Sequence, residues 1–457
     1  MGGIFLFCAL IIAIFVIIYM IAKLNIHAFL SLMCVSLVLA IVVGIPLGKI
    51  PSIIGSGFSS IFSSIGIVII LGALIGTILE KTGAALKLAD MVINFVGEKR
   101  PNLAMMIMGW VVGIPVFCDS GYVVLNPIRK AISQKILSSN PLGMAVALSG
   151  GLYIAHVLIP PTPGPIAAAG ALGAGENLLM VILVGVLVSI PILFVLYFFS
   201  KFIDKKVFLQ EDKQELIKTY DELKSEFKQL PSGFSAIMPI LAPILFMALG
   251  SLAAILKIDG FLGDIFKFLG APIIALAIGL LFGVYQLYET KKFDEFNKIT
   301  EESLRVVGPI IFITAAGGVL GKVISEAGFV NFIKENALYI SSMGIFFPFI
   351  IAAILKTAQG SSTVAIITTA SILGSYLDPN SVMSVLGFST SMSAALCVMA
   401  IGCGAMCVSH ANDSYFWVVT NFSSMDTTRG YKTQTLMTFV IAVAGIISVY
   451  IFSLFLM

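Results

Sequence analysis

Ionisable side chains are what this chain has least of: Asp, Glu, Lys and Arg make up 11% of its 457 residues, where soluble domains carry about a quarter. That scarcity excludes an ordinary water-exposed surface. The net charge is only +3 and the basic residues are spread along the chain, so nothing supports nucleic-acid binding. Histidine occurs three times, at His27, His156 and His410. The six cysteines (Cys8, Cys34, Cys118, Cys397, Cys403, Cys407) lie almost wholly in apolar runs without framework spacing, so no structural disulfide is expected. No Lys or Arg precedes the first apolar run and no small-residue cleavage pattern follows it. It is therefore read as a retained span, not a signal peptide.

What fills the chain is apolar: 59% of residues, with a mean hydropathy of +1.06. Windows such as Ile4 to Ala22 and Leu178 to Ser200 carry no charge and are long enough to cross a hydrocarbon core of about 30 Å. An all-α polytopic membrane protein is expected, because in lipid the backbone must be satisfied within helices. Apolar segments fall near 4–22, 28–46, 60–79, 104–128, 142–159, 164–200, 236–256, 270–288, 306–325, 343–375, 383–410 and 434–457.

Two stretches recur in order. Gly72, Gly76 and Gly83 align with Gly317, Gly321 and Gly328, and the run Gly150 to His156 aligns with Gly404 to His410. Short glycine-rich helices also match by chance, but the preserved order favours a duplication. Each half then makes about five transmembrane crossings plus a re-entrant hairpin and a broken helix. An odd number of crossings makes the two repeats inverted, as in many secondary transporters. The expected units are an N-terminal repeat at 1–200 (hairpin about 104–135, broken helix about 142–175), a linker at 201–235, and a C-terminal repeat at 236–457 (hairpin about 343–375, broken helix about 383–420). Of the 27 basic residues, 21 follow odd-numbered crossings, which marks that side as cytoplasmic and puts both termini outside. In the cytoplasmic linker Leu216, Ile217, Tyr220, Leu223, Phe227 and Leu230 recur at helical spacing. That pattern fits an amphipathic helix on the inner membrane surface, or equally a solvated connection.

Four polar interruptions are the candidate site, since polar groups among apolar spans are costly unless they face a cavity or a partner. Around Asp119, Ser120 and Gly121, Pro115 and Gly121 break the helix and free amides for an anion, with Asp119 as a proton or cation site or else a helix cap at a loop. The stretch His156 to Pro165 holds four prolines, and with Pro161, Thr162 and Gly164 it reads as unwound backbone lining a cavity or as an external loop. At Lys356, Gln359, Gly360, Ser361, Ser362 and Thr363, hydroxyls and amides can bind a carboxylate or sugar hydroxyls. Lys356 is either the countercharge to an anionic substrate or a snorkelling lysine. The densest island is Ser409 to Trp417, with His410, Asn412, Asp413 and Ser414; a short extramembrane loop is the alternative reading. His410 and Asp413, one helical turn apart, can exchange protons or orient each other. Cys403, Cys407 and His410 share a helical face, but packing of small cysteines accounts for them, so no metal is expected. Candidates for the coupling ion are Asp119, Asp413, His156 and His410. A membrane-embedded hydrolase built on His410 and Asp413 is disfavoured, because catalysis needs no repeated polar breaks.

The phrases Ile114-Pro-Val-Phe-Cys-Asp-Ser-Gly-Tyr-Val-Val-Leu, His156-Val-Leu-Ile-Pro-Pro-Thr-Pro-Gly-Pro, Ala358-Gln-Gly-Ser-Ser-Thr-Val-Ala and Ser409-His-Ala-Asn-Asp-Ser-Tyr-Phe-Trp together resemble the gluconate permease (GntP) family of the ion-transporter superfamily. The similarity runs the length of the chain. It departs from the family where Cys118 and Asp119 stand for an aromatic and a Glu, Thr162 for a His, and Lys356 near a common Arg, which leaves the substrate open. The resemblance implies a transporter in the bacterial inner membrane that imports gluconate or a related small hydroxy or sugar acid with protons. A sodium-coupled carboxylate or D-serine-like carrier is the alternative. It also implies two inverted repeats with re-entrant hairpins and a homodimer. The expected partners are a small anionic substrate, a proton or sodium ion and the lipid bilayer, with no cofactor and no enzymatic activity.

Overall fold

The computed structural model describes residues 3–24, 26–97, 100–135, 141–206, 229–256, 258, 260–327, 343–410 and 413–456. Among them the fold is helical, with no strand. The first half contains α1 (Gly3–Ala22), α2 (Ala28–Val42), α3 (Ile50–Lys81), α4 (Ala84–Val96), α5 (Pro101–Gly113), α6 (Cys118–Lys135), α7 (Pro141–Leu158), α8 (Pro163–Ala171) and α9 (Leu178–Lys206). The second contains α10 (Gly233–Ile255), α11 (Phe261–Gly270), α12 (Pro272–Glu289), α13 (Phe296–Glu326), α14 (Phe346–Gln359), α15 (Ser362–Leu373), α16 (Ser391–Ala405), α17 (Ser414–Phe422) and α18 (Leu436–Leu456). Short helical turns lie at Val382–Val385 and Thr427–Gly430. The expected amphipathic segment of the linker, from Leu216 to Phe227, lies outside the described residues.

Helices stop where the sequence removes a donor or supplies a left-handed residue. The α5–α6 turn carries Pro115, and the α7–α8 break carries Pro160 and Pro161, with Pro163 opening α8; proline interrupts a helix but is preorganised for its first turn. Gly360 (φ +87°) joins α14 to α15, a conformation that costs other residues more. Six helical stretches among the described residues are long and apolar enough to cross a membrane, and α3 with α4, bent by 74° at Gly83, make a possible seventh.

The long apolar segments reappear with shifted bounds. α3 begins at Ile50 and not near 60, because the Ser- and Gly-rich stretch after Pro51 is helical; α13 likewise begins ten residues earlier than its apolar run. The run 164–200 is two helices, divided at Gly173 (φ +87°). α4 and α11, whose charged residues interrupt the hydropathy, are absent from the apolar segments.

Around this frame the two long helices α3 and α13 pack along each other, and α7 lies at the centre against α5, α6 and α9. From Leu142 to Leu158 α7 is buried on every face. Its contact with α5 interleaves glycines: a β-carbon on Gly109 would meet Leu148 O, and one on Gly151 would meet Met106 O. In the second half Gly404 of α16 meets Phe349 O of α14 in the same way. Such small residues are how apolar helices attract each other where lipid is as apolar as leucine. The aligned glycines do related work. Gly72 and Gly76 admit the carbonyls of Pro161 and Pro115, while Gly317 and Gly321 admit Ser371.

Candidate functional site

The helix that follows each interruption starts inside the molecule. α6 packs beside α17, and α8 beside α15. The starts of α6, α15 and α17 border one cavity of about 280 Å³, lined by Phe117, Cys118 and Asp119, by Tyr153 and His156 of α7, by Gly360 to Thr363, and by Asp413, Ser414 and Tyr415. First-turn amides have no carbonyl four residues back, so three helix starts make a positive, donor-rich wall suited to an anion. Two of these starts are capped. Ser361 Oγ accepts from Val364 N at 3.3 Å, and Asp413 Oδ1 accepts from Tyr415 N at 3.1 Å.

Lys356 lies behind the wall. Its Nζ donates to Asp413 Oδ2 at 2.6 Å and to Gly360 O, and it stands 5.7 Å from the Tyr153 ring centroid. The side chains of the pair are 0% and 6% exposed. Lys356 therefore does not snorkel; it ties the α14–α15 tip to the start of α17. Asp413 Oδ2 also accepts from Ser409 Oγ at 2.5 Å. Ser409 is held in turn by α18 and the turn before it: its N–H donates to Thr438 Oγ1 and its carbonyl accepts from Thr435 Oγ1.

His410 and Asp413 do not face each other across a helical turn, because α16 ends at Ala405 and Val408 has φ +53°. The His410 ring bonds Thr357 O through Nε2 at 2.9 Å instead. Among the described residues no group of three His, Cys, Asp or Glu is arranged for a metal.

The opposite wall is less satisfied. Asp119 receives one long contact from Cys118 Sγ at 3.8 Å, and its Oδ1 is buried without a hydrogen-bond partner. His156 is 5% exposed and its Nδ1 is buried without a partner, with the Phe117 ring 6.0 Å from its own. Buried polar atoms left open at a cavity are places for a ligand or a proton.

Of the sequence candidates, Asp119, His156, Gly360, Ser361, Ser362, Thr363, Asp413 and Ser414 meet at this cavity. Others stand off it. Thr162 Oγ1 bonds Ile159 O at 2.7 Å, Pro161 packs on Gly72, Gly164 faces Ile366 and Gly121 faces Leu152. Of Ser120 and Gln359 only the backbone is described, and Asn412 lies outside the described residues. Tyr153 and Tyr415 are not among the sequence candidates. The signal for them is a tyrosine inside a small-residue helix or polar island, since a buried phenol needs a partner; Tyr153 donates to Ala405 O and Tyr415 to Ser149 O.

Charge-poor helices broken around a polar cavity define a multi-pass membrane transporter for a small molecule. The chain belongs to the GntP permease family, whose family model matches residues 5–455. It is 31% identical to the inner membrane permease YgbN of Escherichia coli, over 97% of this chain and 98% of that one. With the gluconate permease of Pseudomonas aeruginosa it shares 27% identity, over 96% and 95% of the two chains. The fold is similar to that of the Alcanivorax borkumensis YdaH transporter, described as having an unusual topology, with a TM-score of 0.64 at 14% identity over 93% of this chain and 98% of that one.

Proposed function

We infer that the protein imports gluconate or a related small hydroxy or sugar acid across the bacterial inner membrane by proton symport. The observation that carries this reading is the convergence of three helix starts on one cavity with hydroxyls of Ser361, Ser362, Thr363 and Ser414 at its edge. The carboxylate sits on the amides and the hydroxyls bind the polyol. Relatives named as gluconate permeases support the substrate class.

Residues 1–200 and 236–457 form inverted repeats in this reading, with both termini outside and the linker at 201–235 in the cytoplasm. The hairpins α5–α6 and α14–α15 with the broken helices α7–α8 and α16–α17 move as a transport unit against the remaining helices and give alternating access. Two copies of the chain associate as a homodimer.

The test is uptake into proteoliposomes of radiolabelled gluconate, glycerate, lactate and D-serine, driven by a pH gradient alone and by a sodium gradient alone. Accumulation of gluconate or glycerate on the pH gradient is expected. Accumulation on sodium alone overturns the coupling, and accumulation of D-serine without the hydroxy acids overturns the substrate.

A further inference from the structure

Two carboxyl groups border the cavity, and they are bound in opposite ways. Asp413 accepts from Lys356, Ser409 and Tyr415 N, so both its oxygens are engaged. Asp119 has one oxygen with no partner and only a thiol on the other. The Lys356 ammonium bonds Asp413 and Gly360 O instead.

We propose that Asp119 takes up and releases the coupling proton, while Lys356 and Asp413 form an ion-paired latch that positions the tip. The proposal rests on the proton-symport reading and names its residue. The groups facing Asp119 are Cys118 on its own helix, Tyr153 and His156 from α7, and Asp413 and Tyr415 from α17 and its cap, with Lys356 of α14 behind Asp413. Lys356 and Asp413 cancel, so an ionised Asp119 leaves the cavity with one negative charge that opposes a substrate carboxylate. Protonation, one proton adding to one carboxylate oxygen to give the neutral acid, removes that charge. The neutral acid then also has an O–H to donate to a substrate hydroxyl or to His156. One proton per carboxylate follows, bound before the anion and released after it leaves.

The hairpin tips and breaks give this division a structural sense. At the α14–α15 tip and the α16–α17 break the polar residues are closed on each other by an ion pair, while at the α5–α6 tip and the α7–α8 break Asp119 and His156 are both left open. One side of the cavity holds shape and the other changes charge.

The experiment is infrared difference spectroscopy on the purified protein without substrate, titrated between about pH 8 and about pH 5, a span in which perturbed carboxyls titrate. The wild type is expected to gain a protonated-carboxyl C=O band that Asp119→Asn lacks and the double variant Lys356→Met with Asp413→Asn keeps. Asp119→Asn is expected to unfold at the wild-type temperature in detergent and, in proteoliposomes, to lose pH-gradient-driven gluconate accumulation at least tenfold. A band that persists in Asp119→Asn, or that vanishes in the double variant alone, overturns the proposal. If gluconate is not carried by the wild type, the substrate reading fails while the band still decides the proton's place.

Discussion

Replacing Lys356 by Met removes one member of a fully buried ion pair at nearly constant side-chain length. At an N···O separation of 2.6 Å the gross attraction is about 6 kcal/mol for an effective dielectric of about 20. Desolvation of both charges offsets most of it, so the pair adds little over an apolar replacement, but an orphaned partner costs about 3–5 kcal/mol. In Lys356→Met, Asp413 keeps Ser409 Oγ and Tyr415 N, which places the loss towards the lower figure. Asp413→Asn keeps the helix cap but leaves the ammonium with Gly360 O and the Tyr153 ring, and it should cost as much or more. The double variant has no unpaired charge and should lose about 1 kcal/mol or less. Thermal unfolding of the four proteins in one detergent measures the cycle: both single variants melt well below the wild type and the double variant recovers most of the difference. Single variants that melt with the wild type, or losses that simply add in the double variant, would refute the latch.

Two further substitutions probe the backbone that carries the site. Gly72→Ala puts a β-carbon 2.8 Å from Pro161 O, and overpacking of this kind costs about 1–3 kcal/mol; gluconate uptake in vesicles should fall several-fold, while Gly55→Ala on the same helix, with nothing within 4 Å, leaves it unchanged. Gly360→Ala forces a left-handed alanine at φ +87°, a cost of about 1–2 kcal/mol, and because the tip supplies Ser361 to Thr363 to the cavity, the KM for gluconate should rise more than the maximal rate falls.

The interruptions are legible in the sequence because proline and a left-handed glycine work against a continuous helix: Pro115, Pro160, Pro161 and Gly360 all fall where helices stop. Periodicity is a poorer guide at the break itself. Pairing His410 with Asp413 requires a helix through residues 406–413, and the positive φ of Val408 turns the histidine to Thr357 instead. No local pattern shows that Lys356 spends its charge on a carboxylate 57 positions later. α4 is hidden for a different reason: Lys87 and Asp90 dilute its hydropathy, although its first turns bury Ala84 to Leu86, Leu88 and Ala89.

What joins the legible and the hidden parts is the use of glycine. Gly72 and Gly76 on α3 sit against the α7–α8 break and the α5–α6 turn, whereas Gly317 and Gly321 on α13 sit near the far end of α15, at Ser371. The two aligned glycine pairs thus receive different parts of the site-bearing elements. At the first, the carbonyls of Pro115 and Pro161 are drawn onto the long helix, so the stretch that leads into Asp119 is fixed by backbone packing. At the second, the tip itself is left off the long helix, and it is held by Lys356 and Asp413. An ion pair holds the tip where close packing does not reach, and where close packing suffices Asp119 keeps an oxygen without a hydrogen-bond partner.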